Sequence, residues 1–127
     1  MDSPVAEGLS GLKEWSEPVI FDRLRDAYSR NVSDAPTAWR LARLHARVWR
    51  ALISGETDSF QKLRGELIAA LAEQGLDLEC LADADSGTMT ELLEIVIARF
   101  RRSQRVAKGY HLALMSLAGR LTMAQAA

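Results

Sequence analysis

Apolar residues in this chain return at every third or fourth position, segment after segment, and nowhere alternate with a period of two. That spacing puts them on one face of an α-helix and does not suit a half-buried strand. The chain is therefore expected to be all-α, one helical domain of about five to six helices. The punctuation between stripes supports this. Ser16 reads as an N-cap with Glu17 and Pro18 in the first turn, followed by Ile20, Leu24, Ala27 and Tyr28, so a first helix runs to about Asn31. Asp34 with Pro36 opens a second through Trp39, Leu41, Leu44, Val48, Leu52 and Ile53, ended by Gly55. Thr57 or Asp58 caps a third, with Phe60, Leu63, Leu67, Ile68 and Leu71, up to a C′ glycine at Gly75. A short segment spans about Asp77 to Asp83, then a turn at Asp85-Ser86-Gly87. Thr88 and Glu91 form a capping-box pattern before Leu92, Leu93, Val96, Ile97 and Phe100. The last stripe is Val106, Tyr110, Leu114, Leu117 and Leu121; Gly109 and the preceding Arg-rich run leave open whether these are two helices or one kinked helix.

Residues 1–15 mix Ser, Pro, Gly and Glu with few apolar anchors and read as a loosely ordered lead-in, leaving residues 16–127 as the domain. At 127 residues there is enough chain for one core. A 48% hydrophobic, 26% charged composition is that of a globular chain, not a disordered one. Sixteen basic against seventeen acidic side chains provide no general attraction for polyanions, which argues against nucleic acid as a partner. The single cysteine, Cys80, excludes an internal disulfide and any multi-cysteine metal cluster, and suits a reducing cytoplasm. Met1 to Leu12 lacks the basic start and apolar run of a secretory signal, and no stretch approaches the roughly 18 apolar residues of a membrane span, so membrane insertion is not expected.

Catalytic chemistry would need a base, a nucleophile or a metal cluster, and the chain offers two histidines, one cysteine and no glycine-rich phosphate loop. We therefore expect no enzyme, no cofactor and no metal site. His45, in the middle of the second helix, could be a phosphoacceptor, a haem ligand or a hydrogen-bonded core histidine. His111 has the same alternatives, and neither has a second histidine at i±4 to make a metal pair. Cys80 has Asp77, Glu79 and Asp83 nearby, an acidity that raises a thiol pKa and suits an inert residue. The run Arg99, Arg101, Arg102, Arg105 and Lys108 is either a solvated face or, through Arg101, Arg102 and Arg105, an anion site for a phosphate-bearing ligand. Trp15, Trp39 and Trp49 read as core bulk.

The block Trp49-Arg50-Ala51-Leu52-Ile53-Ser54-Gly55-Glu56-Thr57-Asp58-Ser59-Phe60, followed by Leu67-Ile68-Ala69-Ala70-Leu71-Ala72-Glu73-Gln74-Gly75-Leu76, resembles the globin-coupled sensor domains of bacterial signalling proteins. Leu92 to Phe100 and Val106 to Leu121 are similar to that family's last two helices, and Tyr28 with Pro36 to its early Tyr and Pro. Leu71 stands where the family's haem-ligating histidine belongs, and a leucine offers iron no lone pair. The resemblance thus implies a haem-free, globin-like regulatory domain whose pocket would be lined by His45, Trp49, Leu67 and Leu71. It further implies a homodimer built on Val106, Tyr110, Leu114, Leu117 and Leu121, with a signalling output domain or partner protein beyond it. The alternative is a helical-bundle phosphotransfer or adaptor protein using an exposed His45.

Overall fold

The structure, a computed structural model, describes residues 3–126 and contains five helices with no strand among them. They are α1 (Pro4–Ser29), α2 (Ala35–Ile53), α3 (Thr57–Glu73), α4 (Leu78–Phe100) and α5 (Gln104–Ala126). α1 is the hub, packed against α2, α4 and α5; α2 also carries α3, and α4 pairs with α5. The fold is all-α. Among the described residues no helix is long and apolar enough to cross a membrane.

Where helix ends depend on local chemistry, they fall where the residues place them. Asp34 accepts the Thr37 N–H at 3.1 Å and starts α2. Gly55 and Gly75 both take φ +72°, the left-handed conformation that closes a helix and that a side chain would resist. α3 starts one residue earlier than expected, with Glu56 at the cap position and no side-chain cap bond.

Three expectations are corrected. From Ser3 onward the lead-in is not loose, residues 1 and 2 lying outside the described residues: Ser3 caps α1 by accepting the Ala6 N–H at 3.1 Å, Pro4 occupies the first turn, and Ser16, expected as the cap, is buried inside the helix. What anchors this arm is the far end of the chain. A Cβ on Gly8 would fall within the Gly109 carbonyl and 2.8 Å from the Ala113 Cβ, and a Cβ on Gly109 would lie 3.1 Å from the Pro4 oxygen. The two glycines let the backbones of α1 and α5 meet. Trp15 donates its indole N–H to the Tyr110 hydroxyl at 3.1 Å, and Phe100 stacks on Tyr110 with ring centroids 4.6 Å apart. Replacing Gly8 with valine should force the two helices apart, costing about 1–3 kcal/mol by overpacking; a denaturation midpoint unchanged by Gly8→Val would contradict this contact.

The Asp85-Ser86-Gly87 turn does not exist; these residues lie inside α4, which starts at Leu78 with Asp77 accepting the Cys80 N–H. Asp85 is drawn into the core by tertiary partners, and Thr88 is buried mid-helix, donating to the Ala84 carbonyl at 2.8 Å instead of capping. α4 and α5 are separate helices, broken at residues 101–103, where Phe100 turns inward onto Tyr110.

The third correction concerns the proposed dimer face. Tyr110, Leu114, Leu117 and Leu121 are buried within the single chain, Leu117 completely, because α1 and α4 already cover them; only Val106 of that stripe is exposed. The stripe completes the protomer's own core and is not available to a second copy.

Candidate functional site

The core contains one connected set of polar side chains drawn from three helices. α1 supplies Tyr28, α2 supplies His45 and Trp49 one turn apart, and α4 supplies Asp85. The Tyr28 hydroxyl lies 2.6 Å from His45 Nδ1, and His45 Nε2 lies 2.7 Å from Asp85 Oδ1. Trp49 Nε1 donates to that same oxygen at 2.9 Å. Tyr28, His45 and Trp49 are fully buried and Asp85 nearly so.

One protonation pattern satisfies every group. With Nε2–H donated to the Asp85 carboxylate, Nδ1 is left as a lone pair that accepts the Tyr28 O–H. A doubly protonated ring would leave the phenol proton without this acceptor. Burial, and after it the charges of Cys80 and Asp85, raise the Tyr28 pKa above its ordinary 10.0, which keeps the phenol a donor. Among the described residues no buried side-chain nitrogen or oxygen lacks a partner.

His45 thus has no free nitrogen, and this removes the phosphoacceptor alternative: a phosphoryl group has no path to a ring atom already bonded on both sides in a closed core. Of the four pocket candidates, Trp49, Leu67 and Leu71 belong to the hydrophobic core and His45 to the polar network; none of them lines any of the clefts described here. His111 is exposed on α5. Cys80 is half-buried, and its pKa is raised, by burial first and by Asp77 and Asp83 after it, so it is not an activated thiolate. Arg101, Arg102, Arg105 and Lys108 are exposed around the α4–α5 connection and converge on none of these clefts; Arg105 approaches Glu7 at 3.8 Å. Among the described residues no group of three or more His, Cys, Asp or Glu is placed to hold a metal ion.

A second feature lies on the surface between α1 and α2. α2 carries Arg40, Arg43, Arg47 and Arg50 and no acidic residue, and their 3-4-3 spacing sets them along its exposed edge. Trp39, expected in the core, is 44% exposed at the head of this edge. It meets Phe21 edge-on at 5.4 Å, and the Arg43 guanidinium lies 5.4 Å over its ring. Two contiguous clefts, of about 490 and 120 Å³, follow the groove from Trp39 and Phe21 past Arg43, Arg47 and Arg50 to Lys13 and Ser54. Their floor includes Ile20 and Ala46, and their carboxylate is Glu17, 3.9 Å from Arg50. At 1.5 Å per residue, Trp39 to Ser54 spans about 22 Å. A run of four arginines without a compensating acid in one helix was readable in the sequence, but the groove required the placement of α1.

No family model matches the chain, and neither a curated protein nor a solved structure shows significant similarity to it.

Proposed function

We propose that this chain is a non-catalytic regulatory module that acts by protein contact, and that its contact surface is the α1–α2 groove. The observation that carries this reading is the combination of an exposed tryptophan, an apolar floor and an edge of four arginines, of which Arg50 is paired with Glu17. Arg43 rests its guanidinium face on Trp39, which fixes the side chain while leaving its N–H edge to meet carboxylates. The occupant that fits is an acidic amphipathic helix from a partner protein, its apolar face on Phe21, Ile20 and Ala46 and its carboxylates on the arginines. A long polyanion fits less well, since the groove floor of Ile20, Phe21 and Ala46 is apolar. The resemblance to sensor globins supports the same regulatory role in haem-free form: Leu71 cannot ligate iron, and Trp49 and Leu67 are packed with it in the core. A cytoplasmic setting agrees with a lone, unpaired cysteine.

The test is a synthetic helical peptide with Leu and Phe on one face and Glu on the other, followed by Trp39 emission. We expect saturable binding that weakens as salt rises from about 0.05 to about 0.5 M, and at least tenfold weaker binding by the exposed double variant Arg43→Glu/Arg47→Glu. Equal binding by that variant, or tighter binding of single-stranded oligothymidylate than of the peptide, would overturn the reading.

A further inference from the structure

The Asp85 carboxylate is used asymmetrically. Oδ1 receives both core donors, from His45 and Trp49, while Oδ2 receives none among the described residues. Since no buried side-chain oxygen among them is left without a partner, Oδ2 is not sealed from solvent, although the side chain is only 6% exposed. Asp85 lines a cleft of about 240 Å³ between α4 and the end of α5.

We propose that this cleft binds a small organic ammonium ion, with Asp85 Oδ2 as its charged acceptor. Among the described residues no lysine or arginine is paired with the Asp85 carboxylate, whose core donors are His45 and Trp49. A carboxylate this buried is stabilised strongly by a cation that completes its unused oxygen. The walls suit an ammonium group on a short alkyl chain. Thr122 donates its hydroxyl proton to the Ala118 carbonyl at 2.9 Å, so its remaining lone pairs can only accept, as an N–H donor requires. Ser86 and Thr90 add hydroxyls, and Met89 and Leu121 provide apolar wall. A divalent metal is disfavoured because, among the described residues, Asp85 is the only carboxylate lining the cleft. Through Oδ1 the bound cation would act on His45 and Trp49, and so on α2 and α1, which makes the site a ligand input to the fold. The site does not depend on the arginine groove.

The experiment is a titration of the whole protein with n-butylammonium chloride against sodium chloride at equal ionic strength, read by thermal midpoint and by the emission of Trp49, whose N–H shares Asp85 Oδ1. We expect a saturable rise in the midpoint and a spectral change with the amine only. Asp85→Asn keeps the acceptor for His45 and Trp49 but removes the charge, and should weaken binding at least tenfold. Ala118→Phe obstructs the cleft without touching the network, and should do the same in a protein of unaltered fold. Arg43→Glu/Arg47→Glu should bind the amine as the parent does, which separates this site from the groove. No saturable response of the parent protein, equal binding by Ala118→Phe, or equal binding of neutral 1-butanol would overturn the proposal.

Discussion

His45→Ala should cost about 3–5 kcal/mol of folding stability, a large share of the 5–15 kcal/mol that holds a domain of this size together. The substitution removes the central member of the Tyr28–His45–Asp85 chain. Asp85 keeps only the Trp49 donor, the Tyr28 hydroxyl loses its acceptor, and a cavity opens where a fully buried ring stood. His111→Ala on the exposed face of α5 should change stability by less than about 0.5 kcal/mol. Denaturant unfolding followed by circular dichroism compares the two, and a His45→Ala cost below about 1 kcal/mol would rule out the network as described. The same network predicts an alkaline signature. A phenol whose folded pKa lies above its ordinary 10.0 contributes stability that is whole below that pH. It is lost as pH rises toward the folded value, at up to about 1.4 kcal/mol per pH unit. Tyr28→Phe should remove that part of the alkaline loss while lowering stability at neutral pH by about 1–3 kcal/mol, since Nδ1 is left unpaired.

Leu117→Glu should abolish the folded state. Leu117 is completely buried, and an unpaired carboxylate there costs about 5 kcal/mol or more, comparable with the entire stability. Val106→Glu, on the same helix but 42% exposed, should fold normally. The contrast distinguishes a core stripe from an interface stripe: an interface substitution gives a folded monomer, a core substitution gives an unfolded chain. Gel filtration with circular dichroism on both variants decides between them, and a well-folded Leu117→Glu protein would contradict the packing of α5.

What was legible in the sequence was what local chemistry controls. Asp34, Gly55 and Gly75 act through hydrogen bonds and backbone angles within a few residues, and they bound α2 and α3 as expected. Apolar periodicity identified Leu114 and Leu117 as one face, but a period states only that a face is covered, not by what. Here the cover is the chain itself. Asp85-Ser86-Gly87 has the composition of a turn, and nothing local contradicts that; the helix passes through because His45 and Trp49, some forty residues earlier, hold the aspartate inward. The N-terminal arm failed for the same reason on a larger scale, since its anchors Gly109 and Tyr110 lie near the opposite end. Of the polar network, His45 stood out by residue type, whereas Tyr28 and Asp85 could be joined to it only once three helices were in place.

The contact between α1 and α5 has a consequence for biosynthesis. Trp15 and Tyr110, which share a hydrogen bond, are separated by 95 positions in the chain. At translation speeds of about 5–20 residues per second, the arm from Pro4 to Trp15 emerges from the ribosome about 5–20 s before its binding surface has been made. During that interval Trp15 lacks its Tyr110 partner, and Gly8, which later allows close approach, weakens the arm as an isolated helix. The α1–α5 contact therefore forms late: an arm made early waits for α5 before it acquires its native neighbours.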